Sequence, residues 1–179
     1  HKVSQSSIDA LKKVHDSGIK IVIATGRAAS DLHEIDDAVP YDGVIALNGA
    51  ECVLRDGSVI RKVAIPAQDF YFDEETEQKV MPLLSGLSAT RWHPLFADVN
   101  VAGTSKATGL SLFADYYRVK VSEIMACGDG GNDIPMLKAA GIGVAMGNAS
   151  EKVQSVADFV TDTVDNNGLY TVLKHFGVI

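Results

Sequence analysis

Short apolar runs rich in β-branched residues alternate along this sequence with segments of helical periodicity, and this alternation constrains the fold most strongly. The run at residues 19–24 (IKIVIA) is nearly continuous, which is typical of a strand buried on both faces of a parallel sheet. Similar runs recur at 44–47, 124–127 and 142–145. Helices that connect parallel strands pack against the faces of the sheet. The alternation of strands and helices therefore predicts an α/β fold with a mostly parallel sheet.

The helices and turns predicted around these strands have recognisable ends. Ser4 is a candidate N-cap for the first helix, and Gly18 stands where a left-handed residue ends it. The pair Asp56-Gly57 predicts a hairpin turn between strands at 51–54 and 58–63. Further helices are predicted at 30–38, 110–117, 136–140 and 169–176, with a short strand at 159–160.

Residues 66–100 interrupt the alternation. They contain an acidic run at 73–77, which we expect to form a solvated helix face, and a strand-like run at 96–101. We interpret this stretch as a small insert on an α/β core that comprises residues 1–65 and 101–179. A long loop with one surface helix is the alternative that the pattern leaves open.

Charge and hydropathy exclude several classes of protein. The formal net charge is −7 and no run of Lys and Arg is present, which argues against a nucleic acid partner. No apolar stretch approaches the roughly 20 residues that a membrane span needs, so we expect no membrane partner. Cys52 and Cys127 each lie in an apolar, strand-like context, and we expect free thiols in a reducing cytoplasm.

The segment with the strongest chemical signal is 128–133 (GDGGND), which directly follows the strand predicted at 124–127. Ligands of open α/β sheets bind beyond the carboxyl ends of the strands. Asp129 and Asp133 converge in one glycine-rich turn and repel each other unless a cation lies between them, and oxygen ligands favour Mg²⁺. Alternatively, Asn132 or Asp133 caps the following helix, which leaves Asp129 and the glycines unexplained.

Two further segments carry weaker signals. Thr25, Gly26 and Arg27 follow a buried strand, and a hydroxyl with adjacent backbone N–H groups at a helix N-terminus forms an anion site, typically for phosphate. An ordinary N-cap role for Thr25 is the alternative. Lys106 lies in the first turn of a helix that begins near Thr104, where a cation opposes the helix dipole unless an anion is close. A solvated surface lysine is the alternative there.

The order of these segments resembles that of the haloacid dehalogenase (HAD) superfamily, and within it the Cof-type sugar phosphatases of cap class IIB. Residues 21–27 (IVIATGR) match the second motif of the superfamily, and Lys106 falls at the third. Residues 128–137 (GDGGNDIPML), continued by 143–149 (GVAMGNA), match the fourth motif, and 47–50 (LNGA) fit a strand end near the substrate. The resemblance implies a Rossmann-like HAD core with an α+β cap inserted between the second and third motifs.

The resemblance also implies a Mg²⁺-dependent phosphatase of small phosphorylated metabolites, with sugar phosphates as the expected substrates. Such an enzyme works through an aspartyl-phosphate intermediate, and phosphoryl transfer depends mainly on positioning and charge neutralisation. The resemblance assigns catalysis to Thr25 and Lys106, phosphate or substrate binding to Thr25, Gly26, Arg27, Asn48, Lys106 and Asn132, and Mg²⁺ binding to Asp129 and Asp133.

The sequence departs from the family pattern in two places. The first motif, Asp-x-Asp-Gly-Thr, supplies the nucleophile and the general acid; it is absent, and we expect it before His1. Without its central strand, neighbouring strands would leave buried N–H and C=O groups unpaired, at about 1–3 kcal/mol each. The family's cap is also larger than residues 66–100, and around Phe70-Tyr71 the chain passes directly from cap entry to the cap's last helix. We therefore expect a cap remnant.

Other functions remain open beside hydrolysis. A phosphomutase uses the same core, and a non-catalytic module would bind metal and phosphate without a nucleophile. A response-regulator receiver also combines an α/β sheet with Mg²⁺ carboxylates and a Lys. It carries its acidic pair at the first strand, however, and lacks a late glycine-rich turn, so it ranks last. Nothing in the sequence predicts the oligomeric state.

Overall fold

The computed structural model describes residues 3–32, 39–63, 68–71, 73–93 and 95–179. Its helices are α1 (Gln5–Asp16), α2 (Glu74–Val80), α3 (Lys106–Tyr117), α4 (Ile134–Ala139), α5 (Glu151–Gln154) and α6 (Gly168–His175). Its strands are β1 (Val22–Ala24), β2 (Gly43–Ala46), β3 (Glu51–Leu54), β4 (Val59–Lys62), β5 (Gln68–Tyr71), β6 (Leu87–His93), β7 (Phe96–Val101), β8 (Met125–Gly128), β9 (Ile142–Ala145) and β10 (Phe159–Val160).

The first sheet has the strand order β1-β2-β3-β4. Strands β1 and β2 are parallel, whereas β3 pairs antiparallel with both β2 and β4. The predicted hairpin turn is present: Gly57 has a φ of +87°, and Asp56 Oδ1 accepts the backbone N–H of Ser58 at 2.8 Å. Every residue of β2 is buried, because strands flank it on both sides and α3 packs across it.

The second sheet has the order β10-β9-β8, and its strands are all parallel. Helices α3 and α4 connect it to the first sheet, since Ile45 of β2, Phe113 of α3, Leu137 of α4 and Ala126 of β8 belong to one buried cluster. The α/β fold class is therefore confirmed, with parallel pairing of β1 with β2 and throughout the second sheet.

The strand predicted at 19–24 is shorter and less buried than the sequence suggests. Only Val22–Ala24 is strand, each of its residues is half-buried, and Ile19 is 46% exposed. In the part of the chain that the structure describes, β1 pairs with β2 alone, and β8 pairs with β9 alone. The unpaired edge leaves β1 partly exposed, but both of its faces pack against apolar clusters: Val22 and Ala24 contact one cluster, and Ile21 and Ile23 contact the other. The prediction of a strand packed on both faces is therefore confirmed, although its residues are only half-buried.

The two single-sided strands border the same apolar cluster. Ile21, which directly precedes β1, and Met125 of β8 both pack against the buried residues Ala10, Val14 and Leu173 of α1 and α6. The two helices thus cover one end of each sheet. Helix α1 begins as predicted, because Ser4 Oγ accepts the N–H of Ser7, and Gly18 follows its end with a φ of +88°.

The interrupting segment contains a three-stranded antiparallel sheet of order β5-β7-β6 together with α2. The long-loop alternative was therefore wrong. Helix α2 is the predicted acidic helix, and Asp73 caps it by accepting the N–H of Thr76 at 2.9 Å. Its Glu77 forms an ion pair of 2.6 Å with Arg91 of β6. Residues 30–32 of the helix predicted at 30–38 lie in a short 3₁₀ helix, Ala29–Leu32, and 33–38 lie outside the described residues.

Cys52 and Cys127 are free thiols, as predicted. Burial raises the pKa of Cys52 to about 11 and the pKa of Cys127 to about 12, so both remain protonated at neutral pH. The cytoplasmic location inferred from them stays a prediction. Among the residues that the structure describes, no helix combines the length and the apolar character that crossing a membrane requires.

Candidate active site

Thr25 and Gly26 lie directly beyond the carboxyl end of β1 and are fixed by the neighbouring strand. The Thr25 N–H donates to the Ile45 carbonyl at 2.8 Å, and the Thr25 carbonyl accepts the N–H of Asn48 at 3.0 Å. Thr25 Oγ1 accepts the N–H of Arg27 at 3.1 Å, so the hydroxyl closes a turn and keeps its own hydrogen for another acceptor. Arg27 is exposed, and its carbonyl accepts the N–H of Leu47 at 3.0 Å.

Lys106 and Asp133 form a buried ion pair. Ser105 caps α3 by accepting the N–H of Thr108 at 3.2 Å, which places Lys106 in the first turn as predicted. The Lys106 side chain is 7% exposed, and its Nζ lies 2.6 Å from Asp133 Oδ1 on a carboxylate that is 8% exposed. The alternative of a solvated surface lysine was therefore wrong. The carboxylate beside the ammonium supplies the negative charge that this position in the helix requires.

The second oxygen of Asp133 organises the glycine-rich turn. Asp133 Oδ2 accepts the N–H of Asp129 at 3.0 Å and the N–H of Gly130 at 2.9 Å. The Asp133 side chain does not cap α4, so the capping alternative fails for this residue. A Cβ on Gly128 would lie 2.6 Å from the Asp133 side chain, which explains why a glycine occupies that position.

Asp129 projects from the same turn and is exposed. Its Oδ2 accepts Nδ2 of Asn148 at 2.8 Å, and Asn148 Oδ1 in turn accepts the N–H of Val164 at 3.1 Å. Asn148 was not among the predicted site residues, although it lies in the run 143–149 that continues the fourth motif. Its role as the partner of Asp129 depends on the loop that brings Val164 beside it.

Asn48 sits at the centre of a buried side-chain network. It follows β2 in a left-handed turn, with φ of +49° at Leu47 and +51° at Asn48, and it is 1% exposed. Its Nδ2 donates to Asp98 Oδ2 at 2.6 Å, and its Oδ1 accepts Nδ2 of Asn132 at 3.0 Å. Asn132 therefore contacts Asn48 and does not serve as a simple helix cap. The turn after β2 thus meets both the insert and the 128–133 loop.

Asp98 is, with Asn148, a site residue that sequence reasoning missed. It lies on β7 of the insert, is 6% exposed, and its carboxylate borders Gly26 closely enough that a Cβ there would lie 3.5 Å from Oδ2. No signal in the sequence indicated this burial, because Asp98 and Asn100 alternate with Ala97, Val99 and Val101, a pattern typical of a strand with one solvated polar face. The insert also approaches the fourth motif, since a Cβ on Gly131 would lie 3.2 Å from the Arg91 carbonyl.

These contacts connect the predicted residues into one site at the carboxyl ends of β1, β2 and β8. Thr25 joins Asn48 through the backbone, Asn48 joins Asn132 through side chains, and Lys106 joins Asp133. An ammonium group, a hydroxyl and backbone N–H groups favour an anion, and the Asp129 carboxylate favours a cation. Among the described residues, no group of three or more His, Cys, Asp or Glu side chains is placed to hold a metal ion. The side chain of His93 lies outside the described residues.

A family model for haloacid dehalogenase-like hydrolases matches residues 1–73 and 70–173, which meet inside the insert. The solved phosphatase BT1666 of Bacteroides thetaiotaomicron, from the HAD superfamily, is 71% identical over 100% of this chain and 90% of its own, with a TM-score of 0.96. The solved HAD subclass IIB sugar phosphatase BT4131 is 32% identical over 100% of this chain and 94% of its own, with a TM-score of 0.90. The chain belongs to the haloacid dehalogenase-like hydrolase family.

Relatives known from sequence agree with this assignment. The 5-amino-6-(5-phospho-D-ribitylamino)uracil phosphatase YcsE of Bacillus subtilis is 27% identical over 97% of this chain and 88% of its own length. The putative phosphatase YkrA of the same organism is 36% identical over 60% of this chain, and the match spans 42% of YkrA. The prediction of a HAD-type phosphatase enzyme is thereby confirmed.

Proposed function

We propose that this enzyme hydrolyses small phosphorylated metabolites, with sugar phosphates as the substrate class and Mg²⁺ as the cofactor. The observation that carries the proposal is the buried Lys106–Asp133 pair beside the glycine-rich turn, whose Asn132 is connected to Thr25 through Asn48. Asp133 compensates the charge of Lys106 and so keeps an ammonium group at this largely buried position, where we propose that it also contacts the phosphoryl group. The similarity to the sugar phosphatase BT4131 supports the substrate class. The similarity to YcsE, whose name describes a phosphorylated ribityl compound, supports a polyhydroxylated phosphate more generally.

In this proposal Thr25, Gly26, Arg27 and Lys106 bind the phosphoryl group. The Thr25 hydroxyl and the Gly26 N–H would donate to its oxygens, while Lys106 neutralises the charge of the bound phosphate. Asn132 and Asn48 would orient the phosphate and face the substrate. Donors that are fixed before the substrate arrives stabilise developing charge without reorganisation, which is the main contribution of a protein to phosphoryl transfer.

Asp129 and Asp133, the carboxylates that we propose for Mg²⁺, are suitable ligands and would form part of its site. Asp129 is exposed, and Asn148 holds one of its oxygens at 2.8 Å. Both oxygens of Asp133 already accept hydrogen bonds, so we assign Asp129 to direct contact with the ion and Asp133 to a water molecule around it. Oxygen donors of this kind suit a hard dication, which when bound offsets the negative charge of the phosphoryl group.

The nucleophile is the remaining part of the proposal. We place it on an Asp of an Asp-x-Asp-Gly-Thr strand that precedes His1 and lies between β1 and β8. The single-sided pairing of both strands supports this position, since a parallel strand there would satisfy their free edges. In the same scheme, residues 1–65 and 101–179 form the HAD core, and 66–100 are the remnant of its cap.

The test is phosphate release by the full-length protein from a panel of sugar phosphates and from p-nitrophenyl phosphate, with Mg²⁺ or with EDTA. We expect Mg²⁺-dependent release that Asp129→Ala abolishes without changing the circular dichroism spectrum. The matched control, Asp158→Asn, alters a carboxylate that accepts the Gly143 N–H at 2.8 Å and not a hydrogen bond from a proposed site residue. Isomerisation of the sugar phosphate without release would indicate a mutase. Binding of phosphate without turnover would indicate a non-catalytic module.

A further inference from the structure

Three side chains from separate parts of the chain form a hydrogen-bonded relay across the site. Asp98 of the insert, Asn48 after β2 and Asn132 of the glycine-rich loop are separated by 50 and 84 positions along the chain. The bond between Asp98 and Asn48 is 2.6 Å long, and the bond between Asn48 and Asn132 is 3.0 Å long. The relay therefore links the insert to the loop that carries Asp129 and Asp133.

The chemistry of Asp98 gives this relay one direction. An ionised carboxylate only accepts hydrogen bonds, so Asn48 must turn its Nδ2 toward Asp98. The Asn48 Oδ1 is then the atom left to face Asn132, which must donate through its own Nδ2. The Asp98 carboxylate therefore selects one of the two possible orientations of the Asn48 carboxamide. That orientation in turn requires Asn132 to donate to Asn48 Oδ1, so Asp98 affects Asn132 without contacting it.

Burial makes this selection strong. Asp98 is 6% exposed and Asn48 is 1% exposed, so water cannot substitute for either partner. Hydrogen bonds to a charged group are stronger than neutral ones, and their strength increases where the effective dielectric constant is low. If β7 moved away, the Asn48 amide would lose the acceptor that orients it.

We infer that Asp98 is a positioning residue: from the insert it fixes the Asn48 carboxamide, and through it the Asn132 side chain of the glycine-rich loop. The position of the insert therefore determines how the Asn132 side chain is oriented in the glycine-rich loop. The kinetic consequence rests on the proposed function, whereas the orientation of Asn132 does not. Asp98 acts through Asn48 and is not itself a catalytic residue.

An exchange of the two side chains tests the relay. Asn48→Asp alone would place two carboxylates 2.6 Å apart, and we expect kcat/KM for p-nitrophenyl phosphate to fall by about ten- to a hundredfold, as expected for loss of a charge-assisted hydrogen bond. The double variant Asn48→Asp/Asp98→Asn restores complementarity, because the carboxylate introduced at position 48 accepts from both amides. It should recover at least about tenfold of that loss. A double variant no better than Asn48→Asp would overturn the inference.

A second readout is independent of turnover. In ¹⁵N-labelled protein, we expect Asp98→Ala to shift the side-chain NH₂ signals of Asn132 and to speed their exchange with water. Asp158→Asn, the control, should leave them in place. Unchanged Asn132 signals in a folded Asp98→Ala protein would refute the relay even if the enzyme is active. If no form of the protein hydrolyses phosphate, the proposed function fails while these signals still decide the inference. Should Asp98→Ala not fold, the same signals are compared between Asn48→Asp and the double variant.

Discussion

Replacement of Lys106 by Met is the most demanding test of the site. The change keeps most of the aliphatic stem and removes the ammonium group 2.6 Å from Asp133 Oδ1. The Asp133 carboxylate is 8% exposed, so water cannot readily replace the lost cation. Removing one partner of a buried ion pair costs roughly 3–5 kcal/mol. Since Oδ2 keeps two backbone N–H donors, we expect a loss near the lower limit, about 3 kcal/mol.

Urea denaturation followed by circular dichroism measures this loss. With a typical slope of about 1–3 kcal/mol per molar urea, the midpoint should fall by roughly 1–3 M. The companion variant Lys106→Met/Asp133→Asn removes both charges, and the Asn carbonyl can still accept the N–H groups of Asp129 and Gly130. The Asn NH₂ group that replaces Oδ1 is then left without a partner, but a buried neutral amide costs less than an uncompensated carboxylate. We therefore expect the double variant to be less stable than the parent but more stable than Lys106→Met, and both variants to lose phosphate hydrolysis.

Two results would refute the reasoning. A loss below about 1 kcal/mol for Lys106→Met would mean that the pair is solvated, because surface ion pairs contribute about that much or less. A double variant no more stable than Lys106→Met would mean that the uncompensated Asp133 carboxylate is not the source of the cost. In either case, the burial of its charge could not explain how Lys106 contributes to phosphate binding.

Three further outcomes follow from the structure. Thr104→Val should raise the free energy of unfolding by about 1 kcal/mol, because the buried Thr104 hydroxyl has no hydrogen-bond partner among the described residues; a lower urea midpoint would contradict this. Burial raises the pKa of Asp42, but hydrogen bonds from Lys20 and the Ile21 N–H, with the charge of Lys20, outweigh it and lower that pKa below its usual value. A folded-state pKa below the unfolded one stabilises the protein above about pH 4, and this contribution disappears as the pH falls through the folded value. In Asp42→Asn the free energy of unfolding should therefore depend less steeply on pH in the acid range. An unchanged pH dependence would contradict the lowered pKa of Asp42. Finally, Cys52 is 0% exposed and burial raises its pKa to about 11, so iodoacetamide at pH 8 should label this thiol only after unfolding; fast labelling of Cys52 in the folded protein, detected by mass spectrometry, would exclude that environment.

Local sequence signals determined much of the fold and the positions of the site residues. The Ser4 cap, the Asp56-Gly57 turn and the first turn of α3 that carries Lys106 depend on side chains and backbone a few positions apart. The glycine-rich turn at 128–133 is likewise local, since Asp133 accepts from N–H groups three and four residues earlier. Such features can be predicted from the sequence alone, because the interacting groups lie within a few residues of each other.

Only the tertiary structure decided which of these residues face each other. Lys106 reaches Asp133 across 27 positions and Asn48 reaches Asp98 across 50, so neither pair can form until α3 and the insert pack against the sheets. The sequence marked residues 19–24 as a buried strand, but their exposure depends on which strands pair beside β1. Burial of Asp98 is likewise set by the seating of β7. Periodicity along a chain specifies which side of an element is apolar, whereas the partner of a polar side chain depends on elements that are distant in sequence.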